Sequence, residues 1–189
     1  RGPMRRTAAL VGTIVLVLGA AGCSAAVSID DYADEMSAAA SAYVEEAQAL
    51  SLRYQSGVED GVRELVETSE SPEEEVVALV RQQTVSYLVL LEDAMHRFST
   101  AIGDIEPAPE VEQEHDAYVA SVDLVVGSLP ATRAGISEAT SLDEVGYTLN
   151  ASGFADGQDR WTATCASLEQ AVRDEGRGMD LKCEQVEAG

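Results

Sequence analysis

The chain has 189 residues, 34 of them acidic and 12 basic, giving a formal net charge of −22 with 46% hydrophobic residues. That charge excludes nucleic acid as a partner, because phosphate backbones repel it, and it opposes peripheral binding to anionic lipid. What remains is a chain long enough and apolar enough for one domain with a sizeable core, wrapped in a solvated acidic surface.

Met4 is read as the start of a leader. Arg5-Arg6 supply positive charge, and the apolar run Ala8–Ala20 contains Leu10, Val11, Ile14, Val15, Leu16, Val17 and Leu18. Ala20-Ala21-Gly22 are small, as a signal peptidase requires of residues threaded through its active site, and Cys23 follows directly. This arrangement resembles the lipobox of bacterial lipoproteins, with Ala20 where that family usually carries leucine. The resemblance implies cleavage after residue 22 and diacylglycerol on the Cys23 thiol, which would leave a lipid-anchored protein on the extracytoplasmic face of the cell membrane. Two other fates stay open: ordinary secretion, or an uncleaved anchor, since residues 8–27 approach the roughly 20 residues that span a bilayer. From Cys23 onward the chain keeps all 34 acids and nine of the bases, a formal charge of −25. Residues 23–28 form a short tether, and residues 29–189 are expected to be a single domain.

Helical periodicity starts at Ser28, with Asp31 three residues on as an N-terminal signal. Ile29, Tyr32, Met36, Ala40, Tyr43, Ala47, Leu50 and Tyr54 recur at three- and four-residue steps, and Gly57, Gly61 and Leu65 continue the stripe. The two glycines predict a kink or a close approach by a neighbouring helix. Ser71-Pro72-Glu73-Glu74-Glu75 starts a second helix with a cap, a proline in the first turn and acids at the positive end of the dipole. Its inner face runs Val76, Val80, Tyr87, Leu91, Met95, Phe98 and Ile102 to a stop at Gly103. Pro107 and Pro109 open a third helix with the stripe Val111, His115, Tyr118, Val122, Val125 and Leu129, which Pro130 and Gly135 should interrupt or bend. Ser141-Leu142-Asp143-Glu144 is a capping box for a shorter helix to about Asn150. A last helix carries Phe154, Trp161, Cys165, Leu168 and Val172 inward and ends at Gly176 and Gly178. No strand-like run of useful length occurs. The expectation is an all-α, up-down bundle of about four principal helices.

With Cys23 assigned to lipid, Cys165 and Cys183 form an even pair in an oxidising compartment, so a disulfide is expected to tie the tail Met179–Cys183 to the last helix. Its loop would stabilise the fold by about 3 kcal/mol.

His96 lies near the end of the second helix and His115 near the start of the third, which puts them level in an antiparallel hairpin. Asp93 and Glu112 each precede a histidine by three residues and share its helix face. The two pairs resemble the Glu-x-x-His element of ferritin-like di-iron bundles. One pair here begins with aspartate, however, and no further glutamates are aimed at the site. Asp93, His96, Glu112 and His115 are therefore the metal candidates, against the reading that His115 is a hydrogen-bonded seam residue and His96 is half exposed. The sequence contains no G-x-S-x-G elbow, no H-E-x-x-H and no glycine-rich phosphate loop. Asp156-Gly157-Gln158-Asp159 lacks the alternating oxygens and closing glutamate of a calcium loop and is read as a helix start. The inner-stripe tyrosines are read as core or groove lining whose hydroxyls need partners.

The Ala-rich acidic helices, the run His115-Asp116-Ala117-Tyr118-Val119 and the closing Asp180-Leu181-Lys182-Cys183 resemble uncharacterised helical lipoproteins of high-GC Gram-positive bacteria. That resemblance transfers no activity. The functional expectation is a membrane-anchored, non-enzymatic domain without a bound cofactor, binding an envelope protein or small ligand. The alternative is a metal-binding bundle.

Overall fold

Ser28 Oγ accepts a hydrogen bond from the Asp31 backbone N–H at 3.1 Å and donates to Asp31 Oδ2 at 2.8 Å, which seats the first helix where the sequence places it. The computed structural model describes residues 27–151 and 153–183. Cys23, the apolar run before it and residues 24–26 of the tether lie outside the described residues. Five helices follow in order: α1 (Ile29–Thr68), α2 (Pro72–Gly103), α3 (Glu112–Glu138), α4 (Leu142–Ala151) and α5 (Gly153–Asp174). No strand occurs among the described residues. The bundle is all-α, with four long helices running up-down-up-down and the short α4 bridging the last two.

Cross-helix pairs fix the direction of each neighbour. Tyr43 stacks on Phe98 with ring centroids 4.7 Å apart, and Tyr54 meets Tyr87 at 5.2 Å, so α1 and α2 are antiparallel. Ser99 donates to Asp123, Arg133 pairs with Glu92, and Arg81 donates to the Ala139 carbonyl, so α3 returns along α2. Ser121 shares a 2.7 Å hydrogen bond with Thr164 and Gly157 packs on Val125, so α5 runs antiparallel to α3.

Both α1 and α3 run unbroken. Gly61 makes room for its neighbour: a Cβ there would fall 2.6 Å from Leu79 Cδ2, so its absence lets α2 close on α1. Gly135 does the same for α4, because a Cβ would lie 2.8 Å from Thr148 Cγ2. Pro130 and Gly135 do not interrupt α3, which continues to Glu138. Residues 156–159 lie inside α5, where Gly157 is buried against Val125. Caps differ in detail from the sequence signals. Ser71 holds the cap position of α2 without a side-chain cap bond. Ser141 accepts from the Glu144 N–H, but the Glu144 carboxylate reaches back to Thr140, whose bonds hold it below the usual carboxylate range.

The core combines Tyr32, Met36, Leu88, Met95, Phe98, Tyr118, Val122, Leu129, Trp161 and Leu168, all buried. α2 and α3 supply most of it, and α3 is the one described helix long and apolar enough to cross a membrane by length and composition. Its Val122, Val125, Val126 and Leu129 are buried inside the bundle.

A turn at the end of α5 sends the tail back. Gly176 takes φ +83°, Gly176 N–H bonds Arg173 O and Arg177 N–H bonds Val172 O, a Schellman motif that needs glycine at this position. The tail then ties α5 to α1. Arg177 reaches Asp30 and Asp34, Asp180 N–H donates to Ser37 Oγ, Leu181 N–H donates to Glu169, and Met179 and Leu181 are buried. Cys165 and Cys183 form the expected disulfide, with Cα atoms 5.8 Å apart.

Candidate functional site

The tail joins α1 and α5 at one end of the bundle, but the two helices scarcely touch directly along their length. In α1, full burial ends at Ala40, although the apolar stripe continues through Tyr43, Ala47 and Tyr54. The stripe there faces a cleft of about 360 Å³, within the range of small-molecule sites. One wall is α1, with Tyr43, Ala47, Gln48, Ser51, Tyr54 and Gln55. The other is α5, with Phe154, Gln158 and Trp161. Thr84, Tyr87, Leu88, Leu91 and Met95 of α2 form the floor with Val125 of α3, and Leu149 of α4 closes one edge.

None of the 17 lining residues is charged, in a chain that is 24% charged. Polar character comes from three glutamines, two hydroxyls and the tyrosines. Burial, followed by the neighbouring phenols, pushes the Tyr43 and Tyr87 hydroxyls above their ordinary value of 10.0. These phenols therefore stay neutral throughout the physiological range. Thr84 Oγ1 donates to Val80 O at 2.8 Å and lies 3.0 Å from Tyr54 Oη. Because the single threonine proton is committed to the carbonyl, Tyr54 must be the donor in the second bond. Its remaining lone pair is then an acceptor at the cleft.

Trp161 sits at the base, with its ring 5.8 Å from Tyr43 and 6.1 Å from Phe98. Its indole N–H is buried without a hydrogen bond of good geometry among the described residues. It is still near enough to the Tyr118 hydroxyl to oppose part of the upward push that burial gives that phenol.

The four metal candidates are not gathered. His115 is buried, with Nδ1 3.0 Å from Tyr32 Oη, whereas Asp93, His96 and Glu112 are exposed. The i, i+3 spacing places each carboxylate near its histidine along the helix, but His115 turns into the α1 interface while Glu112 stays outside. Among the described residues, the one group of potential ligand atoms close enough to share an ion is Cys165, Glu169 and Cys183. There both sulfurs are spent in the disulfide, and Glu169 accepts from Leu181 N–H. That group is a structural tie.

The sequence stripes named Tyr43, Tyr54, Tyr87, Phe154 and Trp161 as inward residues, but not Gln48, Ser51, Gln55, Thr84 or Gln158. Residues 47–58 of α1 and 76–91 of α2 contain no acid, but neither do the packed stretches 36–44 and 94–103, so the acid gaps alone do not single out these residues. Comparison with protein-family models, curated proteins and solved structures found no match.

Proposed function

We propose that this chain is a lipid-anchored domain of the extracytoplasmic face that binds a small molecule of the cell envelope in the cleft between α1 and α5. The single observation that carries the binding reading is this open, aromatic, charge-free cleft between α1 and α5. The Arg5-Arg6 leader and the small residues before Cys23 support the anchor. With no charged side chain in the lining, the cleft has no acid, base or activated nucleophile to turn over a bound molecule, which favours binding over catalysis.

The test is to purify the full chain from membranes and record native mass spectra of wild type and Ser51→Phe. Ser51 is half-buried on the α1 wall, so a phenyl group there fills the cleft without entering the core. Wild type should carry a non-covalent adduct that the variant lacks. An adduct retained in full by Ser51→Phe would show that binding lies elsewhere.

A further inference from the structure

The chemistry of the walls narrows the ligand, on the premise that the cleft is a binding site. We infer that it takes a planar ring molecule without negative charge that donates an N–H or O–H hydrogen bond to Tyr54 Oη. Three observations converge on this class.

First, negative charge is excluded. A buried anion needs a counter-charge, and the cleft offers no cationic side chain. An anion would also have to approach a chain of net charge −22.

Second, aromatic residues line both sides of the slot. Tyr54 and Tyr87 pair on the α1–α2 side, and Phe154 and Trp161 stand on the α5 side. Aromatic pairs gain beyond simple area burial when they stack offset or edge-to-face. A planar ring between the walls collects that gain, and a saturated body of the same size does not.

Third, the hydrogen-bond direction is set before the ligand arrives. The relay from Tyr54 to Thr84 to Val80 O uses both protons internally, so Tyr54 offers a lone pair and selects a donor. The glutamine amides can serve either polarity and leave this preference intact.

The experiment uses the full chain in phosphatidylcholine vesicles and four matched probes. These are oxindole, N-methyloxindole, the saturated octahydro-lactam of the same skeleton, and a ring-carboxylated oxindole. Binding is read by titration calorimetry and by Trp161 emission, since Trp161 is the only tryptophan in the chain. Oxindole should bind best. Removing its donor should weaken binding about ten-fold, removing the ring face should do so by a similar factor, and the carboxylate should bind weakest of all. In Tyr54→Phe, oxindole and its N-methyl form should become equal. Equal binding of the first three probes in wild type, tighter binding of the carboxylate, or no binding of any probe at millimolar concentration overturns the ligand class. If Ser51→Phe still abolishes the adduct carried from membranes, binding in the cleft stands and only the ligand class falls.

Discussion

Gly157→Ala adds one methyl group to α5 and should destabilise the bundle, although alanine is the better helix former. A Cβ at position 157 would lie 3.1 Å from Val125 Cγ2 and 3.4 Å from Val125 Cα. Carbon atoms settle at about 3.5–4.0 Å, so the methyl is short by roughly half an ångström. Val125 is 1% exposed and β-branched, which leaves its side chain little freedom to turn away. The backbone atom behind it cannot turn at all. Overpacking of this kind costs about 1–3 kcal/mol, against a helix-propensity gain of about 1 kcal/mol. The expected net loss is about 1 kcal/mol, a fall in Tm of roughly 2–4 °C. Gly127→Ala is the control, since a Cβ there meets nothing within 4 Å and the residue is exposed. It should take the propensity gain alone, about 0.5–1 kcal/mol of stabilisation. Urea unfolding monitored by circular dichroism compares the two midpoints. Because Gly157 sets the distance of the α5 wall from α3, Trp161 emission should also shift in Gly157→Ala and not in Gly127→Ala. If Gly157→Ala is as stable as Gly127→Ala, the close approach of α5 to α3 is wrong.

Reduction of Cys165–Cys183, or Cys183→Ser, should cost about 3 kcal/mol through the 18-residue separation it closes, lowering Tm by roughly 6–12 °C. An unchanged Tm in fully reduced, alkylated protein would refute this. Burial holds the His115 imidazole below its ordinary value of 6.5, with Asp116 opposing only in part. The unfolded chain therefore binds this proton more readily, so stability is full above pH 6.5 and falls as the pH drops through that value toward the folded pKa, by at most about 1.4 kcal/mol per pH unit. His115→Gln should flatten the slope between pH 6.5 and 5, and the same slope in both proteins would clear His115 of the effect. Cys23→Ala should release an intact domain into the soluble fraction. Retention of that variant on membranes would favour the uncleaved anchor through residues 8–27.

Individual helices were legible because each signal is local. Ser28 with Asp31, Pro72 with its three glutamates, and Ser141 with Glu144 mark the starts that the backbone adopts. The disulfide was legible from the even pair that remains once Cys23 is expected to carry lipid. Less visible was what each glycine or proline does once a second helix is present. Gly61 reads equally as a kink or a contact until Leu79 is placed beside it. The candidate metal pairs failed to gather for a related reason. Spacing of three residues fixes a shared helix face only to within a broad arc, and packing against Tyr32 drew His115 inward while Asp93, His96 and Glu112 remained exposed.

The cleft illustrates the same limit from the other side. An apolar stripe predicts that something covers it, and the stripe of α1 continues past Ala40 without full burial. In a chain with 34 acids, an accidental gap of this kind would be expected to carry carboxylates at its lips, where they cost nothing and keep the surface soluble. Instead acids vanish from residues 47–58 and 76–91, the two stretches that meet where Tyr54 bonds Thr84, and uncharged glutamines take the lip positions on α1. Withdrawal of acids from both helices at one level, with Arg53 and Arg81 retained, is a property of the pair, invisible in either stripe alone. Leu52, Val89 and Leu90 stand exposed at the same level but outside the cleft lining, as Val66, Leu124 and Tyr147 do elsewhere, so exposed apolar surface does not single out the cleft. A lining of 17 uncharged residues on so acidic a chain is most simply accounted for by a ligand that carries no negative charge.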